Sequence, residues 1–175
     1  MTRLFRPILR NVLHQSEEVF VALDRIFKEA GKSRDDIDSI CISEGPGSYT
    51  GVRIAMTIAK TIGEVKPCDV YTISTLRLYA ACRENVMVLM DARAGRAYYG
   101  IYNGDEVIAE DDAKPLNEID SVGYTIVGDG KLIDLNDDFG NIPEAFLKTR
   151  HLWKKASNIA YLTPKYLKES ESYYR

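Results

Sequence analysis

The residues best suited to chemistry in this chain form a glycine-rich stretch, GPGSYTG, at positions 45–51. The apolar run before it, residues 40–42, is typical of a strand, and residues 54–62 after it have the composition of a helix. Glycines permit tight backbone turns, and the free N–H groups at the start of a helix attract anions such as phosphate. Two interpretations fit this shape, an anion-binding loop or a plain connection between a strand and a helix.

The anion-binding interpretation assigns ligand residues to the stretch and to one carboxylate outside it. The predicted set is Gly45, Gly47, Ser48, Thr50, Gly51, Arg53 and Asp91. Asp91 ends an apolar strand, where ligand sites of α/β proteins lie, and its carboxylate suits Mg²⁺ beside a nucleotide. The alternative, which we favour, is a turn carboxylate paired with Arg93 or Arg96.

Other reactive residue types do not form a catalytic pattern. The two histidines, His14 and His151, lie far apart and outside any HExxH motif, so the sequence predicts no zinc protease and no metal site. Ser48 does not lie in a GxSxG motif, which argues against a serine nucleophile. We therefore predict no catalytic residue in the isolated chain.

The composition is typical of a protein that builds its own core. The 175 residues are 45% hydrophobic, which suits one domain or two small lobes, and the net charge of −3 argues against a large nucleic-acid surface. Cys41, Cys68 and Cys82 contain no CxxC pair, which indicates reduced thiols in the cytosol. No apolar run approaches the ~20 residues of a membrane span, so we expect a cytoplasmic protein without membrane contact.

Two amphipathic helices are predicted on either side of the first strand. Residues 17–30 carry an apolar stripe, with Ser16 as the predicted N-cap and Gly31 as the terminator. In the second helix, residues 50–63, apolar and small residues cover about 200° of the circumference, whereas packing on one sheet needs only about 100°. Such a helix is either enclosed in the core of its own chain or shared between its own sheet and a partner.

The partner interpretation names a specific surface. Ile54, Ile58 and Ile62 recur at i, i+4 and i+8, the spacing of a ridge that enters a groove on a facing helix. With Phe20 and Phe27 of the first helix, they form the predicted partner interface.

The remaining pattern predicts an α/β chain with lobes at 1–83 and 84–175, joined near residue 83. Further strands are expected at 38–42, 70–73, 86–90, 96–102, 106–110 and 124–127. Helices are expected at 75–83, capped by Ser74 or Thr75, and at 153–162, with Asn103-Gly104 as a hairpin turn.

The amino-acid sequence of the glycine-rich stretch identifies a family more specifically than its strand–turn–helix pattern does. GPGSYTGVRIAMTIAKTI resembles the GPGSFTGxRIGxxxAKGL signature of the TsaB family, also called YeaZ. Supporting segments follow in the family's order: HQSE at 14–17, STL at 74–76, DAR at 91–93 and LTPKYL at 162–167.

The resemblance implies an ASKHA fold, the actin-like and sugar-kinase-like architecture related to ribonuclease H. Family members open with a strand carrying an IDTS-like segment and a second hairpin strand, neither of which this sequence contains. We therefore expect an abbreviated N-terminal lobe, with two explanations open: a misplaced start codon, or a family member that lacks those strands.

The resemblance also implies a function. TsaB proteins are non-catalytic scaffolds in the transfer of threonylcarbamoyl to adenosine 37 of tRNA. The implied partners are a TsaD-like subunit that carries the metal, a TsaE-like ATPase, a second copy in a homodimer, and tRNA reached through the complex. No tightly bound cofactor is expected, and ATP or ADP only at an interface with partners. The competing hypotheses are an ATP-dependent ASKHA phosphotransferase and a degenerate homodimeric structural protein.

Overall fold

The computed structural model describes residues 15–167, and their side chains from residue 18 onward. In this part of the chain the α-helices are α1 (Gln15–Ala30), α2 (Tyr49–Val65), α3 (Thr75–Ala80) and α4 (Ile142–Lys148). The strands are β1 (Ser39–Ser43), β2 (Asp69–Ile73), β3 (Val86–Asp91), β4 (Arg96–Asn103), β5 (Glu106–Pro115), β6 (Thr125–Gly128) and β7 (Lys154–Lys155). The α/β class predicted from the sequence is confirmed.

Helix α1 ends as its sequence predicts but begins earlier. Gly31 has a φ of +64°, which glycine adopts without steric cost. The Lys32 N–H donates to the Phe27 carbonyl oxygen at 2.9 Å, one of the bonds of a Schellman ending. The prediction of Ser16 as N-cap is wrong, because the helix begins at Gln15 and already contains Ser16.

The first sheet has the strand order β1-β2-β7, with β1 and β2 parallel and β7 antiparallel to β2. Helix α2 connects β1 to β2 and buries Met56 and Ala59 on its inner side. Among the described strands β1 pairs with β2 alone and lies at an edge of the sheet. The segment before residue 15, with His14 and the predicted start of the N-terminal lobe, lies outside the described residues.

The second sheet has the strand order β5-β4-β3-β6, so β3 is an inner strand with β4 on one side and β6 on the other. Strand β3 is buried over its first four residues, and its continuous apolar run suits a strand that is covered on both faces. The β4–β5 turn consists of Gly104 and Asp105 rather than the predicted Asn103 and Gly104, because Asn103 still pairs with Glu106. Gly104, with a φ of +58°, occupies the first central position.

Helix α3 packs between the two sheets. Leu76 and Ala80 belong to a core cluster with Val88 and Tyr102 of the second sheet, whereas Leu78 packs with Ile73 of β2. Ser74 is the N-cap, as predicted, and its Oγ accepts from the Arg77 N–H. The helix was predicted to reach residue 83 but ends at Ala80, because the next two residues adopt left-handed backbone angles.

The helix predicted at 153–162 is wrong. Trp153 is extended, Lys154 and Lys155 pair with β2, and only Ile159–Tyr161 form a 3-10 turn. An unpaired edge of β2 offers backbone hydrogen bonds that compete with the helical pattern. Because β7 returns across the predicted boundary at residue 83, the two sheets do not correspond to two separate stretches of chain.

No helix in the described part of the chain has both the length and the apolar character needed to cross a bilayer.

Candidate functional site

The glycine-rich stretch forms a tight loop that is anchored to the neighbouring strand and helix. The Glu44 N–H donates to the Ile73 carbonyl oxygen, and the Thr75 N–H donates to the Gly45 carbonyl oxygen, both at 2.9 Å. Gly45 has a φ of +103°, and the Gly45–Pro46 peptide bond is cis. The two hydrogen bonds hold the backbone of the loop against the end of β2 and the start of α3.

The inner side of this loop is filled by the chain's own residues 164–166. The Lys165 N–H donates to the Glu44 carbonyl oxygen at 2.7 Å, and the rings of Tyr49 and Tyr166 stack with centroids 5.7 Å apart. The cavity that remains has a volume of about 10 Å³ and is lined by Gly45, Pro46, Gly47, Tyr49, Val52, Tyr98, Pro164, Lys165 and Tyr166. This volume holds about one water molecule. A nucleotide phosphate on this side would have to displace the segment.

The other predicted ligand residues face different surroundings. The Ser48 Oγ accepts the Gly51 N–H at 3.3 Å, so Ser48 is the N-cap of α2 and uses one of the N–H groups available to an anion. Arg53 stacks over the Tyr49 ring with its Cζ 4.5 Å from the centroid, and it donates to the Tyr49 hydroxyl. Thr50 is exposed in the first turn of α2. The predicted ligand residues of the loop therefore lie on two different sides of it. Gly45 and Gly47 line the filled inner side, and Thr50 and Arg53 line the open outer side.

Asp91 is held by the turn that follows β3. Its Oδ2 lies 2.7 Å from Arg93 Nη1, and its Oδ1 accepts the Arg93 N–H at 2.7 Å. The favoured interpretation, a carboxylate paired with Arg93, agrees with these contacts. Arg96 instead donates to the Ala113 carbonyl oxygen at 2.7 Å.

A groove of about 550 Å³ opens between α1 and α2 on the outer side of the loop. It is lined by Phe20, Tyr49, Thr50, Arg53, Ile54, Thr57, Ile58, Thr61 and Ile62. The three isoleucines are half-buried, and Phe20 is 55% exposed. Of the residues predicted to meet a partner, only Phe27, half-buried on α1, does not line the groove. On this face, therefore, helix α2 is not enclosed by the residues that the structure describes.

Comparison with known proteins places the chain in a family. A family model described as TsaD, tRNA N6-adenosine threonylcarbamoyltransferase, matches residues 12–170. The chain belongs to this family. Within it, the resemblance to TsaB (YeaZ) is confirmed by relatives named tRNA threonylcarbamoyladenosine biosynthesis protein TsaB.

The match to the TsaB relatives covers a similar share of each of them. The protein of Bacillus subtilis strain 168 is 31% identical over 51% of this chain and 41% of its own length. That of Escherichia coli strain K12 is 33% identical over 52% of this chain and 42% of its own length. The matched part of this chain thus spans less than half the length of these relatives.

The TsaB fold is supported by a solved structure. A Pseudomonas aeruginosa protein, described as uncharacterized with similarity to peptidase YEAZ, superposes with a TM-score of 0.74 at 19% identity. The superposition covers 87% of this chain and 83% of that one. The predicted ASKHA-like architecture is confirmed by this likeness and by the family match.

Two of the supporting TsaB segments meet at one buried carboxylate that the sequence analysis missed. The side chain of Asp111 is 5% exposed and accepts from Ser74 Oγ, from the Tyr102 hydroxyl and, at 3.1 Å, from Lys165 Nζ. Burial, and then the charge of Asp111, raise the pKa of Tyr102. Ser74 lies in the STL segment, and Lys165 lies in the LTPKYL segment. No sequence pattern identifies this cluster, since its members are far apart along the chain.

Cys41, in the strand before the loop, is the thiol nearest to the signature in sequence. Burial, and then the charge of Glu44, raise its pKa to about 12. With this raised pKa, the Cys41 thiol stays protonated at neutral pH. Because the thiolate is the reactive form, Cys41 is a poor nucleophile there.

Proposed function

We propose that this chain is a non-catalytic scaffold subunit in the threonylcarbamoylation of adenosine 37 of tRNA. The proposal is supported by the family match and by the names of the TsaB relatives. In it the chain binds a TsaD-like subunit that performs the transfer, with a TsaE-like ATPase and the tRNA joining the same complex in the cytoplasm.

The observation that carries the scaffold proposal is the open groove between α1 and α2. A groove lined by three isoleucines and a phenylalanine offers contact to a facing helix. Completing the burial of an isoleucine side chain contributes up to roughly 1.5–3 kcal/mol, less for one that is already half-buried. Its polar border, with Arg53 and three threonines, resembles the polar rim of a protein interface.

The filled inner side of the glycine-rich loop supports a non-catalytic role for the isolated chain. Residues 164–166 leave a cavity of about 10 Å³ beside the loop, which holds about one water molecule and has no room for a nucleotide phosphate. In our proposal, ATP or ADP has a place only at an interface with partners.

The test is co-purification of the Ile58→Glu variant with the TsaD-like subunit of the same organism. A glutamate at this position brings an unpaired carboxylate into the buried interface, which costs several kcal/mol. We expect partner binding to be lost, while the thermal unfolding followed by circular dichroism stays close to that of the parent. Phe20→Glu, at a site that is 55% exposed, should have the same effect with less risk to the fold.

Val65→Glu is the matched control. Val65 lies on the same helix, is 83% exposed and does not line the groove. The variant should bind the partner as the parent does. Retained binding by both Ile58→Glu and Phe20→Glu would exclude this groove as the interface. Unfolding of Ile58→Glu together with normal binding by Phe20→Glu would support a helix that serves its own core.

A further inference from the structure

Three side chains of different chemistry converge on the surface away from the loop and the groove. Cys82 follows α3, Asp105 lies in the β4–β5 turn, and His151 lies in the 3-10 turn after α4. One ligand atom from each lies within 4.8 Å of the other two. The thiol is half-buried, and the carboxylate and imidazole side chains are 57% and 54% exposed.

The backbone around the cluster holds these residues in place. The Gly104 N–H donates to the Arg83 carbonyl oxygen at 3.0 Å, which joins the β4–β5 turn to the residue after Cys82. Arg77, buried beneath the turn, donates to the Asp105 carbonyl oxygen and, at 3.3 Å, to that of Glu106. The convergence is therefore a property of the fold rather than of three unconstrained surface side chains.

The arrangement does not fit a cysteine nucleophile. In a thiol–imidazole–carboxylate triad the imidazole contacts the thiol and removes its proton. Here the Asp105 Oδ2 is 2.8 Å from His151 Nε2, whereas the Cys82 thiol donates to the Lys148 carbonyl oxygen at 3.8 Å. The His151 imidazole therefore contacts the Asp105 carboxylate and not the Cys82 sulfur.

The arrangement does fit a cation. Thiolate, imidazole and carboxylate are the three protein ligand types of Zn²⁺, and three protein ligands leave a fourth tetrahedral position for water. Arg77 places a positive charge 4.0 Å from Asp105 Oδ1, and Lys148 adds a second near the Cys82 thiol. The thiolate and the carboxylate would balance these two charges. We propose that Cys82, Asp105 and His151 form a binding site for a divalent cation of the zinc type.

Binding would release the proton of the Cys82 thiol, because the thiolate is the ligand form. The site is open to solvent on the side of Asp105 and His151. It is separate in sequence from every residue assigned above to the groove or the loop, so it can be tested without reference to the scaffold proposal.

The experiment is a titration of the purified full-length chain with Co²⁺ alone, at fixed neutral pH and with a reducing agent that does not bind metals. Co²⁺ in a tetrahedral site with a thiolate ligand gives intense visible bands and a sulfur-to-metal charge-transfer band. We expect both, and we expect Zn²⁺ to displace Co²⁺ and abolish them, since most N/O/S sites bind Zn²⁺ more tightly.

The variants identify the ligands. Cys82→Ser should remove the charge-transfer band. His151→Gln should weaken Co²⁺ binding by more than the roughly 10–100-fold that loss of a supporting partner costs. Cys68→Ser, a half-buried cysteine outside the cluster, is the control and should bind as the parent does.

Several results would overturn the proposal. These are no bands with the parent, a charge-transfer band that persists in Cys82→Ser, equal loss in Cys68→Ser, or unchanged affinity in His151→Gln. Circular dichroism of each variant confirms folding, and because His151 is exposed its variant stays informative even if Cys82→Ser unfolds.

Discussion

At the scale of the residue, Gly45 explains why the signature loop needs glycine in this chain. Its φ of +103° lies in a region that side chains rarely adopt. A Cβ at this position would also lie 2.9 Å from the Lys165 carbonyl oxygen, which belongs to rigid backbone. Gly45 therefore permits both the turn and the close packing of residues 164–166 against the loop.

We therefore expect Gly45→Ala to lower the free energy of unfolding by about 1–3 kcal/mol, the cost of a strained backbone, and by more if the segment is displaced. Urea unfolding measures the loss. Gly95→Ala is the control, because Gly95 also has a positive φ, +67°, but a Cβ there would meet nothing within 4 Å. Equal losses in the two variants would mean that contact with Lys165 contributes nothing.

At the scale of the element, the closing segment, residues 164–166, acts as a cover on the loop. It is held by the backbone bond from Lys165 to Glu44 and by the ion pair between Lys165 and Asp111. The pair joins a carboxylate that is 5% exposed to an ammonium group on a side chain that is 38% exposed. Such a pair is less screened by water than a pair at the surface, so it should contribute more to stability.

Lys165→Met tests this contribution. We expect a loss of unfolding free energy below the roughly 3–5 kcal/mol seen when one partner of a fully buried pair is removed, because Lys165 is partly solvated. Lys155→Met is the matched control, since the Lys155–Asp69 pair is well exposed and screened by water, so its loss should change stability little. Urea unfolding of both variants measures the two losses of unfolding free energy. A loss in Lys165→Met no larger than that in Lys155→Met would contradict a stabilising role for the Lys165–Asp111 ion pair.

At the scale of the whole molecule, one open groove is proposed to serve two kinds of association. A second copy of the chain and a TsaD-like subunit, both of related fold, would each place a pair of helices against α1 and α2. Since the groove is a single surface, the two complexes exclude each other in this proposal.

Size-exclusion chromatography with light scattering tests this exclusion. We expect a concentration-dependent dimer of the chain alone, and conversion to a one-to-one complex when the TsaD-like subunit is added. Ile62→Glu should weaken both complexes, because Ile62 lines the groove. A stable species with two copies of this chain and one TsaD-like subunit would show that the homodimer uses another surface.

The sequence by itself determined the α/β class, the main strands, both long helices and the family. These features depend on residues close together in the chain: the period of apolar residues in α2, the glycine after α1, and the signature of residues 45–51. Ile54, Ile58 and Ile62 were assigned to one face from spacing alone, because a helix repeats every 3.6 residues whatever surrounds it. In the structure the three isoleucines line one groove, so they share the face that their spacing predicted.

Only the tertiary structure decided what meets across long distances in the chain. Residues 154–155 became a strand because β2 offered an unpaired edge, which outweighed the helical pattern of residues 153–162. The filling of the loop by residues 164–166, the meeting at Asp111, and the cluster of Cys82, Asp105 and His151 had no local signal. Each joins segments from different elements, and the packing of the two sheets around α3, rather than any spacing in the sequence, brings them together.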